Sequence, residues 1–193
     1  MILEYTFMQN ALLGSLLASI ACGLVGTYIV SRRLVFISGG ITHASFGGIG
    51  IGVYFGLNPI LTAMAFAVAG ACGVRWMAGR GRVREDSAIA VTWTLGMSLG
   101  IMLSFMTPGF MADLPSYLFG SILAIGPADL WLLGAVAALV ALTFATAMRT
   151  IVCTAFDPVF ARSQGLPVAA VEYAMMALTA MTVVATLRLV GIV

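Results

Sequence analysis

An all-α, polytopic transmembrane helical bundle of about six spans, with its N-terminus outside, is the fold class this sequence predicts. Three observations predict it. Hydrophobic residues make up 62% of the 193 and charged residues only 8%, where a soluble domain of this size carries charge on roughly a quarter of its residues. Mean hydropathy is +1.11. Charge-free runs also recur at the length that a hydrocarbon core of about 30 Å demands of a helix, ~20 residues.

The runs follow one another in order. Ala11–Val30 is the first, ended by Ser31, Arg32 and Arg33. The opening residues carry Glu4 and no early Arg or Lys, so they lack the positive region of a signal peptide, and the first run is expected to stay as an anchor. Leu34–Leu57 is the second, stopped at Asn58-Pro59, and Pro59–Gly79 the third, with Arg75 near its end expected to snorkel to the interface. After a charged loop to Asp86, Ser87–Met106 is the fourth. Pro108, Gly109 and Pro115 mark an exposed connection, and Tyr117–Ile125 is apolar but too short to cross, which suits a re-entrant or interfacial piece. Leu130–Met148 is the fifth span and Val168–Leu187 the sixth, with Glu172 near its inner end expected to reach the interface.

With the N-terminus outside, Arg32, Arg33, Arg75, Arg80, Arg82, Arg84, Arg149 and Arg162 fall on the cytoplasmic side, and Arg188 alone falls outside. This satisfies the positive-inside bias, and the reverse orientation violates it. The last residues, Leu-Val-Gly-Ile-Val, are apolar and too short to cross, so the chain is expected to be a single transmembrane domain over 1–193 with further C-terminal spans missing. A net charge of +2 gives no nucleic-acid footprint. Cys22, Cys72 and Cys153 form no C-x-x-C pair and no disulfide framework. Twelve scattered methionines suit packing better than soft-metal ligation. Asp113 and Asp129 bracket the outer connection, where solvated acids are ordinary. There is no P-loop.

Two segments carry candidate chemistry. His43, the single histidine, lies within LVFISGGITHASFGGIGIGVYFGL, about 13–14 Å along the helix from Leu34 at 1.5 Å per residue and so near mid-membrane. A polar ionisable group at that depth needs a partner or a water-filled cavity. Ser38 and Thr42 add hydroxyls, and Gly39 and Gly47, at i−4 and i+4, leave open space on its face. Gly40, Ala44, Gly48 and Gly52 form a small-residue stripe that permits close helix approach. In a dimer two such imidazoles would meet near one axis, and imidazole is a common transition-metal ligand. The residues leave two readings open for His43, a pathway ligand and a side chain hydrogen-bonded to a neighbouring helix. For the glycine stripe, packing is the better reading.

The second segment is RTIVCTAFDPVFARSQGLP, residues 149–167. Asp157 suits an N-cap, Pro158 the first helical position and Gly165 the residue past the end, with Pro167 preventing continuation. A short cytoplasmic helix follows, either a docking element or a well-punctuated loop.

Several blocks in order, ALLGSLLASIACGLVGTYIVSRRLVFISGGITHASFGG, REDSAIAVTWTLGMSLGI, DLPSYLFGSILAIGPADL and AFDPVFARSQGLPVAAVEYAM with LRLVGIV, resemble the membrane permease subunits of bacterial ABC importers for zinc, manganese and iron. The resemblance implies a homodimer in the bacterial inner membrane, beside two cytoplasmic ABC ATPase subunits and fed by an extracytoplasmic metal-binding protein. No intrinsic cofactor is implied, only a transported divalent metal ion. It implies that His43 occupies the metal-pathway position and that Asp157, Pro158, Phe160, Ala161, Arg162 and Gly165 belong to the helix that docks on the ATPase. Many relatives have Asp four residues before the histidine, where this chain has Gly39, so a transit site here lacks that carboxylate. The alternatives are an ABC permease for a metal chelate, an ion-coupled secondary transporter, which would need acids at span centres, and an intramembrane hydrolase pairing Ser15, Ser19, Ser38 or Ser104 with His43, for which no G-x-S-x-G elbow is present.

Overall fold

The computed structural model describes residues 5–79, 81, 83–107, 120 and 125–191. The first three helices are α1 (Thr6–Ser31), α2 (Val35–Tyr54) and α3 (Pro59–Gly79). Then come α4 (Glu85–Met106), α5 (Pro127–Phe156), the short α6 (Pro158–Ser163) and α7 (Val168–Val190). All but α6 are long and apolar enough to cross a membrane, which bears out the six expected spans. The proposed re-entrant piece, Tyr117–Ile125, lies outside the described residues apart from Gly120 and Ile125.

Local chemistry sets the boundaries. Asn58 Oδ1 accepts from the amides of Ile60 and Leu61, and Pro59 opens α3. Glu85 and Asp86 are already in the first turn of α4, where carboxylates favour the helix dipole, so this helix starts two residues before the expected Ser87. Asp129 accepts from the Gly126 amide at 3.1 Å at the start of α5 and approaches Arg188 at 3.7 Å, so it serves a helix end instead of standing free in solvent. The exposed Arg149 does not end α5, which runs thirty residues, about 45 Å.

Two apolar clusters share one helix. The first joins Ile37, Ile41 and Ile49 of α2 to Ala67 and Val74 of α3, Ile89 of α4 and Met176 of α7. The second joins Val25 and Tyr28 of α1 to Val140 and Phe144 of α5 and Met175 of α7. Of the span residues of α2 and α7, 61% and 56% are buried, against 22–28% in the other four spans. The interior of the bundle is therefore α2 and α7, and α2 is the helix that carries His43.

Small residues let α2 sit there. A Cβ on Gly96 of α4 would lie 2.5 Å from Ala44 Cα, and one on Gly48 of α2 would lie 2.5 Å from Ala63 Cα of α3. In lipid, where apolar tails compete equally for side chains, such close backbone approach supplies the packing that holds helices together. The stripe of Gly40, Ala44, Gly48 and Gly52 thus packs against α3 and α4 of its own chain.

Candidate functional site

His43 lies near the middle of α2 and is half-buried. Its ring stacks on Trp93 of α4, with centroids 4.6 Å apart and planes within 4° of parallel. The Trp93 indole N–H in turn donates to Met97 Sδ at 2.9 Å. Stacking of this kind contributes about 0.5–1.5 kcal/mol beyond area burial and favours one plane for the imidazole. Ser38 donates to Val35 O at 2.9 Å and Thr42 to Ser38 O at 2.7 Å, so both hydroxyls satisfy α2's own carbonyls while their oxygens remain able to accept.

The two glycines beside His43 differ. At Gly39 an added Cβ would meet nothing within 4 Å, whereas at Gly47 it would lie 2.7 Å from Gly96 O and 3.2 Å from Phe66. The expectation of open space is corrected at Gly47: its face is filled by α3 and α4, because the interior helix meets neighbours on both flanks. No three of His, Cys, Asp and Glu gather as a metal-binding group among the described residues. One imidazole is a single good donor for a divalent transition metal.

The second candidate segment folds as its residues dictate. Asp157 Oδ1 accepts from Val159 N at 3.0 Å and Phe160 N at 2.8 Å, and Pro158 opens α6. Gly165, at φ 73°, adopts the left-handed conformation, and Leu166 N returns to Ala161 O at 3.0 Å, closing a Schellman-type end. Ala161 is fully buried, while Phe156, Val159 and Phe160 are exposed. A capped turn therefore presents apolar side chains at the arginine-rich end of the bundle, with Arg162 in its last turn.

Beside it lies a cluster that sequence reasoning missed. Glu172, only 3% exposed, accepts from Arg32 Nη2 at 2.7 Å through Oε1 and from Arg75 Nε at 2.9 Å and Arg75 Nη2 through Oε2. Two expectations are corrected here. Neither Glu172 nor Arg75 reaches out to the interface; each turns inward, because two guanidinium groups offset the desolvation of one carboxylate. Arg32 also donates to Thr154 O in the last turn of α5 at 3.4 Å. Partners 97 and 140 residues apart leave no local signal, although two charges inside predicted spans, Arg75 and Glu172, and a third just past one, Arg32, are visible in the sequence. Trp93 was equally legible as a residue and equally silent as a partner.

Phe105, Trp131 and Leu142 stand well exposed on long apolar helices, a surface that only acyl chains solvate well. The chain is therefore a polytopic integral membrane protein. The profile of the ABC 3 transport family matches residues 4–193, and the chain belongs to that family. It is 44% identical over 191 residues to an uncharacterized membrane protein of Synechocystis sp., covering 99% of this chain and 68% of that one. It is 34% identical to the manganese transport system membrane protein MntC of Halalkalibacterium halodurans, covering 100% of this chain and 66% of the relative. Among solved structures, PsaBC from Streptococcus pneumoniae in complex with Fab matches with a TM-score of 0.83 at 29% identity, over 98% of this chain and 69% of that chain. The chain thus spans about two thirds of the length of these relatives.

Proposed function

We propose that this chain is the membrane-spanning subunit of an ATP-driven importer for a divalent transition metal ion, with manganese the leading cargo and zinc and iron the other candidates. The observation that carries the reading is α6: a six-residue helix, capped by Asp157 and closed at Gly165, that presents Val159 and Phe160, beside Phe156 at the end of α5, at the arginine-rich end of a chain of the ABC 3 transport family. Apolar side chains so displayed fit a groove on a cytoplasmic ATPase subunit. Hydrolysis belongs to that partner, and this chain converts its closure into alternating access. The cargo names of the manganese relatives support the metal assignment.

In this reading the protein sits in a bacterial cytoplasmic membrane. A second copy supplies a second His43, and an extracytoplasmic metal-binding protein delivers the ion. Ser38, Gly39 and Thr42 line the path, and the imidazole held by Trp93 is its one strong donor per chain. A metal chelate as cargo is favoured by one observation, the open space at Gly39 in place of a ligand side chain. An ion-coupled carrier is disfavoured because Glu172, the buried acid among the described residues, is tied to two arginines.

The test is uptake of manganese(II) into proteoliposomes carrying the chain with its ATPase and binding-protein partners. ATP-dependent uptake that His43→Ala lowers at least tenfold, without loss of assembly, supports the reading. Uptake driven by an ion gradient without ATP refutes the coupling, and wild-type uptake by His43→Ala removes that residue's role.

A further inference from the structure

The buried charges at the arginine-rich end do more than fill a space. The sequence from α5 through α6 to α7 is held at both sides of α6 by one side chain. Arg32 donates to Thr154 O, three residues before the Asp157 cap, and to Glu172, seven residues past Gly165. Arg32 itself stands in the turn into α2. That turn is stiff: Arg33 adopts φ 57° and Leu34 N bonds Ile29 O at 2.9 Å, while Leu34 is buried. From Val35 the helix runs unbroken to His43. Arg75 braces the other oxygen of Glu172 from α3, the helix against which α2 packs its glycines.

We infer that Arg32, Arg75 and Glu172 are positioning residues that transmit displacement of α6 to the helix bearing His43; this rests on the proposed function above. A rigid-body shift of α6 pulls on α5's last turn and α7's first turns together. Both are tied to Arg32, so either α2 moves with them or a carboxylate parts from a guanidinium in a site with little water. Separation of buried opposite charges is strongly opposed, so movement is the easier response. An apolar contact at the same place would slide; a charged, multiply hydrogen-bonded one does not.

The experiment measures ATP hydrolysis and manganese(II) uptake in the same proteoliposomes, for wild type and for Glu172→Gln, which keeps the shape and removes the charge. The expected result is an assembled complex that hydrolyses ATP within about twofold of wild type while ions taken up per ATP fall at least tenfold. A wild-type ratio in Glu172→Gln overturns the inference, and so does a proportional fall of hydrolysis and uptake, the mark of a merely structural role. Should Glu172→Gln fail to assemble, Arg75→Lys, which keeps the charge and loses the paired contact, must still lower the ratio; an unchanged ratio overturns the inference. If the wild-type complex shows no ATP-dependent uptake at all, the proposed function fails with it. Coupled wild type beside coupled Glu172→Gln sinks the linkage alone.

Discussion

Replacing Gly96 by alanine tests the idea that bare backbone holds α2 in the interior. The added Cβ would stand 2.5 Å from both Cα and O of Ala44, where carbon atoms normally rest about 3.5–4.0 Å apart. The obstructing atoms are backbone on both helices, so no side chain can swing aside, and α2 and α4 must part by about 1 Å. A gap of that size along the Gly50–Gly100 contact forfeits a quarter to a half of each dispersion well. Overpacking of this kind costs about 1–3 kcal/mol. The upper end applies, and the helix-propensity gain of alanine over glycine, about 1 kcal/mol, leaves a net loss of roughly 2 kcal/mol. Gly23, where a Cβ would meet nothing within 4 Å, is the control: Gly23→Ala keeps the propensity gain alone. The assay is unfolding of the purified protein in mixed micelles of rising denaturing-detergent fraction, followed by tryptophan fluorescence. Gly96→Ala as stable as wild type, or Gly23→Ala equally impaired, would refute the reasoning. Trp93 lies one turn from Gly96, so uptake should fall along with stability.

Asp157→Ala removes the acceptor of two amides at the start of α6 and should cost about 1 kcal/mol, read as faster hydrogen exchange over residues 158–163 and weaker ATPase binding, with the spans unaffected. Trp93→Ala frees the His43 ring and should raise the KM for manganese(II) uptake several-fold, while Trp93→Phe, which preserves a stacking face, should stay within about twofold of wild type. At Arg33 the left-handed backbone strains a side-chain-bearing residue by about 1 kcal/mol or more. Arg33→Gly should therefore stabilise the protein by up to about 1 kcal/mol in the same micelle titration.

The spans were legible because an uncharged run of membrane length admits one interpretation in lipid. Pro59–Gly79 was read to the residue, as proline opens it and glycine closes it. α5 runs from Pro127 to Phe156 where the charge-free run predicts Leu130–Met148, because a charge need not end a helix: one leaving the bilayer can carry Arg149 onward until Pro158. The punctuation of α6 was fully local and was read fully. His43 could be placed in depth by counting residues, but its neighbour could not, since Trp93 comes from another helix. The same limit hid the inward turn of Arg32, Arg75 and Glu172: helical spacing tells which residues share a face, and only packing tells what that face meets.

The length of α5 has a mechanical consequence. A rod of about 45 Å exceeds a hydrocarbon slab of about 30 Å by half, and tilt can absorb only part of the surplus. Its first turn approaches α7 through Asp129 and Arg188 at 3.7 Å, and its last turns are packed, with Ile151, Thr154 and Ala155 buried. Under the proposed function, the surplus length of α5 carries α6 toward the soluble partner while the buried Ala161 keeps the turn joined to the bundle. On that reading a bilayer of longer acyl chains would cover more of α5 and draw α6 inward, so membrane thickness should tune the coupling.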